Sequence, residues 1–238
     1  MREIFRNRIE AGQLLAGKLM RYANQPNVIV LGLPRGGVPV AFEVAKALRA
    51  PLDVFFVRKL GTPGHREVAK GAIATGGVRV LNEEVVVGLG IPIEVIDAVT
   101  AEEKQELKRR ELAYRGSYSE PEVRGKTVIL IDDGIATGST MRAGVRALNV
   151  QHPAQLVVAV PTVAGATYAE LRPEVDELVA LMTPELFYGV GEWYEDFSQT
   201  SDAEVTDLLE RARSWMASPN VEGVVGRRMI GMVRQQAS

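Results

Sequence analysis

The sequence has 238 residues, a formal net charge of −2, and no cysteine. Its length fits one domain, or one domain with a small accessory segment, and its near-neutral charge excludes a large cationic field for nucleic acid or membrane. The absence of cysteine excludes disulfides, cysteine nucleophiles and thiolate metal sites. Because His65 and His152 are the only histidines, a multi-histidine metal site is also excluded. No apolar run reaches the length of a membrane span and no apolar signal segment opens the chain, which predicts a soluble cytoplasmic protein.

The first predicted element is a helix over residues 7–22. Its apolar side chains Ile9, Leu14, Leu15 and Leu19 recur at helical spacing and are expected to form one buried face. We predict that this N-terminal segment, residues 1–26, covers the core or a neighbouring subdomain, and we assign it no chemistry.

A buried strand is predicted at residues 28–31, followed by a glycine-rich loop with the sequence GLPRGGVP. A helix begins near Pro39, a residue that suits the first helical turn. The strand, the loop with Arg35 and the helix N-terminus together resemble an anion-binding turn that carries its own cation. An ordinary strand–helix turn that needs glycine for its backbone geometry is the alternative.

A third strand is predicted at residues 52–57, and a long polar connection follows over residues 58–70. Loops of this length inside a compact domain are usually functional, and the glycines and cations here are typical of a mobile lid over an anion. Arg58 and Lys59 lie at its base. For His65 and Arg66 a role as solvated surface charges is an equal alternative. Residues 71–74 resume an extended pattern, and residues 76–81 are predicted to form a hairpin partner.

Two helices are predicted before the next strand, a short one at residues 82–90 and a long charged one from Pro92 to about Tyr114. The charges of the long helix are mixed in sign at helical spacing. This pattern indicates a solvated helix rather than a nucleic-acid-binding arm.

The most informative stretch is residues 127–148, which read TVILIDDGIATGSTMRAGVRAL. It begins with a short β-branched apolar run that predicts a strand covered on both faces. Two carboxylates, Asp132 and Asp133, come next, then a loop of small residues, and then a helix with one apolar face. Ser139 or Thr140 is expected to cap that helix.

We call residues 134–140 the phosphate cup, because their composition suits a phosphate. Gly134 and Gly138 permit close backbone approach, the hydroxyls donate hydrogen bonds, and a helix N-terminus attracts an anion. The two aspartates would repel phosphate and suit vicinal hydroxyls or a divalent cation instead. A ligand with both features is a ribose 5-phosphate. The loop lacks the lysine of a P-loop and the G-x-G-x-x-G spacing of a dinucleotide site.

Strands are predicted again at residues 155–160 and 175–181, with a helix at residues 163–171 between them. This alternation of strands and helices predicts an α/β fold with a doubly wound, mainly parallel sheet, whose ligands lie beyond the carboxyl ends of the strands. Residues 184–197 concentrate aromatic side chains, and Ser201 to Glu204 form a capping box that begins a last helix.

The strand, the acid pair and the T-G-S-T sequence at residues 137–140 resemble the phosphoribosyl pyrophosphate (PRPP) signature of type I phosphoribosyltransferases. This resemblance implies a core at residues 27–182 with a flexible loop about residues 58–70, and a small hood subdomain at residues 183–238. It also implies a Mg²⁺-dependent pentosyltransferase of nucleotide salvage, a homodimer, that joins ribose 5-phosphate from PRPP to a nitrogenous base and releases pyrophosphate.

The resemblance also assigns residues. It implies that Asp132, Asp133 and Lys59 are catalytic, and that the two aspartates hold Mg²⁺ directly or through water. The 5′-phosphate is expected at Gly134, Ala136, Thr137, Gly138, Ser139 and Thr140. Pyrophosphate is expected at Arg35, Gly36, Gly37, Arg58 and Lys59, where the family often has a non-proline cis peptide. The base is expected at Phe187 and Tyr188, with Phe187 matching the family's stacking aromatic. For Trp193, Tyr194 and Phe197, a small aromatic core under the hood is an equal reading.

One position departs from the pattern of the 6-oxopurine enzymes. Those enzymes carry an aspartate just before the T-G pair, whereas this sequence has Ala136, as adenine-type and uracil-type loops do. The acceptor base therefore stays open between purines and pyrimidine-like bases. The alternative function is a non-catalytic regulatory module of the same fold that binds RNA or DNA, which the near-neutral charge and the intact acid pair disfavour.

Overall fold

The computed structural model describes residues 4–62, 65–116 and 118–217 of the chain. Its helices and longer strands, in chain order, are α1 (Arg8–Leu19), β1 (Val28–Gly32), α2 (Gly37–Leu48), β2 (Leu52–Val54), β3 (Val57–Thr62), β4 (His65–Ala74), β5 (Val78–Leu81), α3 (Glu83–Gly88), α4 (Ile93–Arg115), β6 (Thr127–Ile131), α5 (Ser139–Asn149), β7 (Gln155–Thr162), α6 (Gly165–Leu171), β8 (Glu177–Met182) and α7 (Asp202–Ala217). The predictions for His65 and Arg66 concern side chains outside this description, and the part of the predicted hood segment after residue 217 also lies outside it.

Five parallel strands form the central sheet in the order β2-β1-β6-β7-β8. Every residue of β1 and β6 is buried. Alternate side chains of these strands point to opposite faces, as the two-residue strand period requires. Val28 and Val30 join a core under α1, α2 and α7, while Ile29 and Leu31 join a core under α5 and α6. The predicted α/β fold with a doubly wound, mainly parallel sheet is confirmed.

A second sheet, of three antiparallel strands in the order β3-β4-β5, contains most of the segment predicted to be a polar connection. Arg58 pairs with Ile73 and Lys59 pairs with Ala72, so the loop expected over residues 58–70 is wrong as secondary structure. The strand predicted over residues 52–57 is divided between β2 and the first residue of β3. Whether this hairpin moves during turnover stays a prediction.

Helix α1 buries Leu15 and Leu19 as predicted, but Ile9 and Leu14 lie outside its buried face. Ile9 is 51% exposed and Leu14 is 53% exposed, whereas Ala11, Gly12 and Ala16 are buried with Leu15 and Leu19. A Cβ at Gly12 would lie 2.8 Å from the Val40 carbonyl oxygen of α2. The two helices therefore approach closely over small residues, while Ile9 and Leu14 point away from the contact.

Phe5 and the start of α1 pack against the aromatic segment of the predicted hood, residues 184–197. From here on, the hood means this small layer. The Phe5 N–H donates to the Trp193 carbonyl at 2.9 Å, and the Phe5 ring packs 5.4 Å from the Tyr194 ring. Phe5, Ala11, Trp193 and Tyr194 form a separate buried cluster. The domain boundaries at residues 26 and 182 stay a prediction. None of the helices in the described ranges is long and apolar enough to cross a membrane.

Candidate active site

The phosphate cup connects β6 to α5, and it leaves the start of that helix open. Helix α5 begins at Ser139, and Gly138 precedes it with a φ of 73° and no side-chain cap. The expectation that Ser139 or Thr140 caps this helix is therefore wrong. Because the first N–H groups of a helix have no acceptor within it, they face outward together with the exposed Thr137, Ser139 and Thr140 side chains. This arrangement suits an anion with several oxygens.

Neighbouring segments fix the shape of the cup. The Ile135 N–H donates to the Thr162 carbonyl at 2.9 Å, and the Thr167 hydroxyl donates to the Ala136 carbonyl at 2.6 Å. A Cβ on Gly138 would lie 2.7 Å from the Thr167 Cγ2 atom, and its positive φ also favours glycine. The cup is thus preorganised by the segment after β7, with its donors already in place.

The loop after β1 lies directly beside the cup. Gly32 pairs with Ile131 in the sheet, and the Leu33 N–H donates to the Ile131 carbonyl at 2.8 Å. The peptide bond between Pro34 and Arg35 is cis, as the family resemblance implies. A Cβ on Gly36 would lie 2.0 Å from the Asp133 Oδ2 atom. The glycine permits the second loop to touch the acid pair.

The acid pair is largely buried at the end of β6. The Asp133 N–H donates to the Asp132 Oδ1 atom at 2.9 Å. Burial raises the pKa of Asp132 well above its usual value, and repulsion from the Asp133 carboxylate raises it further. Burial also raises the pKa of Asp133, although the positive charge of Arg8 acts in the opposite direction. Two acids held together in this way are ready to accept hydroxyl donors or a cation.

Arg8 contacts the acid pair, and the sequence does not predict this contact. Its Nε and Nη2 atoms both lie 2.8 Å from the Asp133 Oδ2 atom. Its Nη1 atom donates to the Ser198 carbonyl at 2.6 Å, and its guanidinium lies 4.0 Å above the Phe197 ring. Arg8 is the first residue of α1, where a cation opposes the helix dipole. That unfavourable placement was the one signal of an acidic partner elsewhere in the fold.

Arg35 and Arg58 are brought together, whereas Lys59 is not. The two arginines line a cleft of about 370 Å³ that also includes Thr140 of the cup. Lys59 follows Arg58 in a strand and therefore points the other way. It lines a separate cleft with Ser139, Arg142 and Arg146. The structure thus separates the two cations that the sequence grouped at one pyrophosphate.

The predicted base-binding aromatics lie in the hood. Phe187 stacks against Trp193 with ring centroids 6.1 Å apart, and Tyr188 is 82% exposed. Trp193 and Tyr194 are buried, and the Tyr194 hydroxyl donates to the Asp133 carbonyl at 2.6 Å. Burial raises the pKa of Tyr194, so its hydroxyl keeps its proton. Trp193 and Tyr194 form the aromatic core of the hood, and Tyr194 ties that core to the acid pair.

Comparisons with known proteins agree with this geometry. Residues 2–182 match the phosphoribosyl transferase domain family. A Mycobacterium tuberculosis protein described as "Putative phosphoribosyl transferase" is 45% identical over 210 residues, which cover 88% of this chain and 47% of that protein. The chain therefore spans about half the length of the curated relatives it matches.

A solved structure also resembles the whole core. The crystal structure of TT1426 from Thermus thermophilus is 38% identical, with a TM-score of 0.79, and the match covers 87% of this chain and 98% of that one. The purine phosphoribosyltransferase of Pyrococcus horikoshii, at 19% identity and a TM-score of 0.41, covers 75% of this chain and 89% of that one. The chain belongs to the phosphoribosyl transferase domain family and has the type I phosphoribosyltransferase fold.

Proposed function

We propose that this protein transfers ribose 5-phosphate from PRPP to a nitrogenous base and releases pyrophosphate. The observation that carries the proposal is the junction of three features at the carboxyl ends of β1 and β6. An uncapped helix N-terminus, an acid pair and a glycine-rich loop meet there. Ligands of parallel α/β sheets lie beyond these strand ends.

The phosphate cup receives the 5′-phosphate in this proposal. The hydrogen-bond donors to this phosphate are the main-chain N–H groups and hydroxyls around Gly134, Ala136, Thr137, Gly138, Ser139 and Thr140. The Thr137 and Ser139 hydroxyl oxygens lie 3.4 Å apart, close enough to contact one phosphate from the same side. Because most of these donors belong to the main chain, affinity depends more on the shape of the loop than on any single side chain.

Asp132 and Asp133 accept hydrogen bonds from the ribose hydroxyls and stabilise positive charge at C1. In the transfer, the bond between C1 and the pyrophosphate oxygen breaks with its electron pair on the oxygen. The base nitrogen forms the new bond to C1 and releases its proton to pyrophosphate or water. Fixed carboxylates beside a developing oxocarbenium ion lower its energy without reorganisation. Arg8 holds Asp133 in place and favours its ionised form.

The donor set also fits Mg²⁺ bound with substrate. Magnesium in phosphate sites usually takes one or two protein carboxylates, and substrate oxygens and water complete the shell. Asp132 and Asp133 offer that number, and no group of three or more possible metal ligands occurs among the described residues. When bound, the ion would neutralise charge on the pyrophosphate. In this proposal Arg35, Gly36, Gly37 and Arg58 bind the same pyrophosphate from the protein side.

The acceptor is a purine or a pyrimidine-like base that lies under the hood. Phe187 and Tyr188 are the aromatic side chains proposed to contact it, and Ala136 leaves no carboxylate for a 6-oxopurine at that position of the cup. The proposal includes Mg²⁺ dependence, a homodimer and a place in cytoplasmic nucleotide salvage. These three features come from the family resemblance and are checked by metal titration, light scattering and cell fractionation.

A pyrophosphate-release assay with PRPP, Mg²⁺ and a panel of free bases tests the proposal. We expect release with one base class and none without protein. An Asp132→Asn/Asp133→Asn double variant serves as the inactive control. If no base supports release while the protein binds RNA in a salt-sensitive manner, the non-catalytic alternative replaces the enzyme.

A further inference from the structure

Four arginines surround the cleft that the phosphate cup shares with the cis-peptide loop. Arg35 and Arg58 come from the loop after β1 and from β3, and Arg109 and Arg110 come from the long helix α4. The sequence pattern of α4 predicts only a solvated surface. Of the side chains that line this cleft, four are guanidinium groups and one, Asp202, is a carboxylate. The side chains that line the cleft therefore carry more positive than negative charge.

One acid outside the cleft, Glu106, holds both helix arginines in position. The Arg109 Nε and Nη2 atoms donate to the two Glu106 oxygens at 2.7 and 2.9 Å, and the Arg110 Nε atom donates to Glu106 at 2.8 Å. Arg58 is paired in the same way with Glu103 of α4. Neither glutamate lines the cleft. Each glutamate orients the guanidinium groups that it contacts. The remaining N–H donors of those arginines stay available for a ligand.

Arg35, in the loop after β1, already has a carboxylate beside it in the cleft. The Asp202 carboxylate lies 3.8 Å from the Arg35 Nη1 atom and accepts a hydrogen bond from the Tyr114 hydroxyl. Its side chain is 73% exposed, so a ligand can displace it without opening the core. A compact ligand with several negative oxygens satisfies four guanidinium groups better than a single carboxylate does.

We propose that Arg109 and Arg110 bind the pyrophosphate end of PRPP together with Arg35 and Arg58. Helix α4 then forms the wall of the site opposite the cis-peptide loop. This inference rests on the transferase proposed above, because PRPP is the ligand that would place its ribose 5-phosphate at Thr140 and its pyrophosphate among the arginines. When the C1–O bond breaks, the leaving group gains negative charge, and the helix cations stabilise that charge.

The test is calorimetric titration of inorganic pyrophosphate into wild-type protein, Arg109→Ala, Arg110→Ala and the double variant. Each single variant loses one charge-assisted contact between an arginine and pyrophosphate. We therefore expect about tenfold weaker binding for each single variant and about a hundredfold for the double variant. Both side chains are largely exposed, at 68% and 49%, so the variants are expected to fold, which thermal melting checks.

Two controls keep the effect local. Lys108 lies on the same helix but lines a different cleft with Glu111 and Tyr118, so Lys108→Ala should bind pyrophosphate as the wild type does. Ribose 5-phosphate should bind the double variant within about twofold of wild type, because its contacts lie in the cup. Arg109→Lys and Arg110→Lys keep the charge but lose the forked donor, and they should show intermediate affinity.

The outcomes separate the two proposals. Wild-type affinity for pyrophosphate in the double variant, an equal loss of ribose 5-phosphate, or no pyrophosphate binding by the wild type would each overturn the arginine site. If the variants lose pyrophosphate as expected while no base supports turnover of PRPP, the arginine site stands and the transferase proposal fails. If the double variant is active and its KM for PRPP is unchanged, the transferase proposal stands and the arginine site fails.

Discussion

Replacing Arg8 by alanine tests how the N-terminal helix supports the acid pair. The change removes two 2.8 Å contacts to Asp133, a 2.6 Å hydrogen bond to the Ser198 carbonyl and the stacking over Phe197. The paired side chains are only 12% and 13% exposed, so water cannot fully replace the lost guanidinium. Asp133 would remain as a partly buried carboxylate without its cation.

The magnitude follows from that burial. Removing one partner of a fully buried ion pair costs about 3–5 kcal/mol, and the slight exposure here lowers our expectation to about 2–4 kcal/mol of unfolding free energy. Arg6→Ala is the matched control, because Arg6 pairs with Glu10 on the surface with 72% of its side chain exposed. A surface pair of this spacing is worth about 0.5 kcal/mol or less. Arg8→Lys keeps the charge and should lie between the two.

The pH dependence identifies the cause. Without Arg8, the pKa of Asp133 in the folded protein rises further above its usual value, since Arg8 is the largest influence that lowers it. The folded variant then binds more protons than the folded wild type, and its stability falls relative to wild type as pH rises through that interval. Denaturant titrations should therefore show the largest stability gap at neutral pH and a smaller gap in acid. A gap independent of pH, or one equal to that of Arg6→Ala, would refute the reasoning.

The remaining predictions concern the cup and the acid pair. Asp132→Asn and Asp133→Asn should each reduce turnover by roughly 10²-fold or more, the effect of losing one positioned electrostatic group, and a double variant with near wild-type pyrophosphate release would contradict their role. Because burial raises the folded-state pKa of Asp132 well above 3.8, wild-type stability falls as pH rises above 3.8 through the raised pKa. Asp132→Asn should thus melt at a higher temperature than wild type at neutral pH, and this advantage should vanish in calorimetric scans near pH 3.8. Thr140→Ala should weaken ribose 5-phosphate binding by about 1–2 kcal/mol in a calorimetric titration, the value of one hydrogen bond to a charged group. Gly138→Val forces a branched residue into a φ of 73° and against Thr167, so it should nearly abolish nucleoside monophosphate binding while pyrophosphate affinity changes much less; equal losses of both ligands would mean that the loops are misassigned.

The sheet could be predicted because its strands are buried on both faces. Such strands have nearly continuous apolar sequences, as at residues 28–31 and 128–131. The short loops that follow them are recognised by their glycine and small polar residues. Since parallel strands have their carboxyl ends at one edge, the meeting of the two loops follows from topology. The chemistry of the phosphate cup follows from its own residues, because main-chain N–H groups at a helix start need no distant partner.

The contacts that escaped prediction are those set by distant packing. Arg8 and Asp133 are 125 residues apart, and nothing local to either one specifies the other. The face of α1 was predicted from its large aliphatic residues, whereas Gly12 and the neighbouring alanines make the close contact to α2. Helices that approach this closely select small residues, which a search for large apolar side chains overlooks.

The separation of Arg58 from Lys59 shows a different limit. Adjacent cations in a loop can converge on one ligand, but adjacent cations in a strand must point to opposite faces. The polar, glycine-containing sequence of residues 58–70 is typical of a loop, to which this alternation does not apply. The polar sequence of α4 likewise predicts a solvated position for Arg109 and Arg110. The packing of α4 beside β3 and α7 places them at the cleft.

The most direct measurement of the central claim is a calorimetric titration of PRPP into the wild-type protein in the presence of Mg²⁺. We predict saturable binding at one site per chain, and we expect ribose 5-phosphate and pyrophosphate each to compete with PRPP for part of that site. No binding of PRPP at millimolar concentration, by a protein shown to be folded, would contradict it.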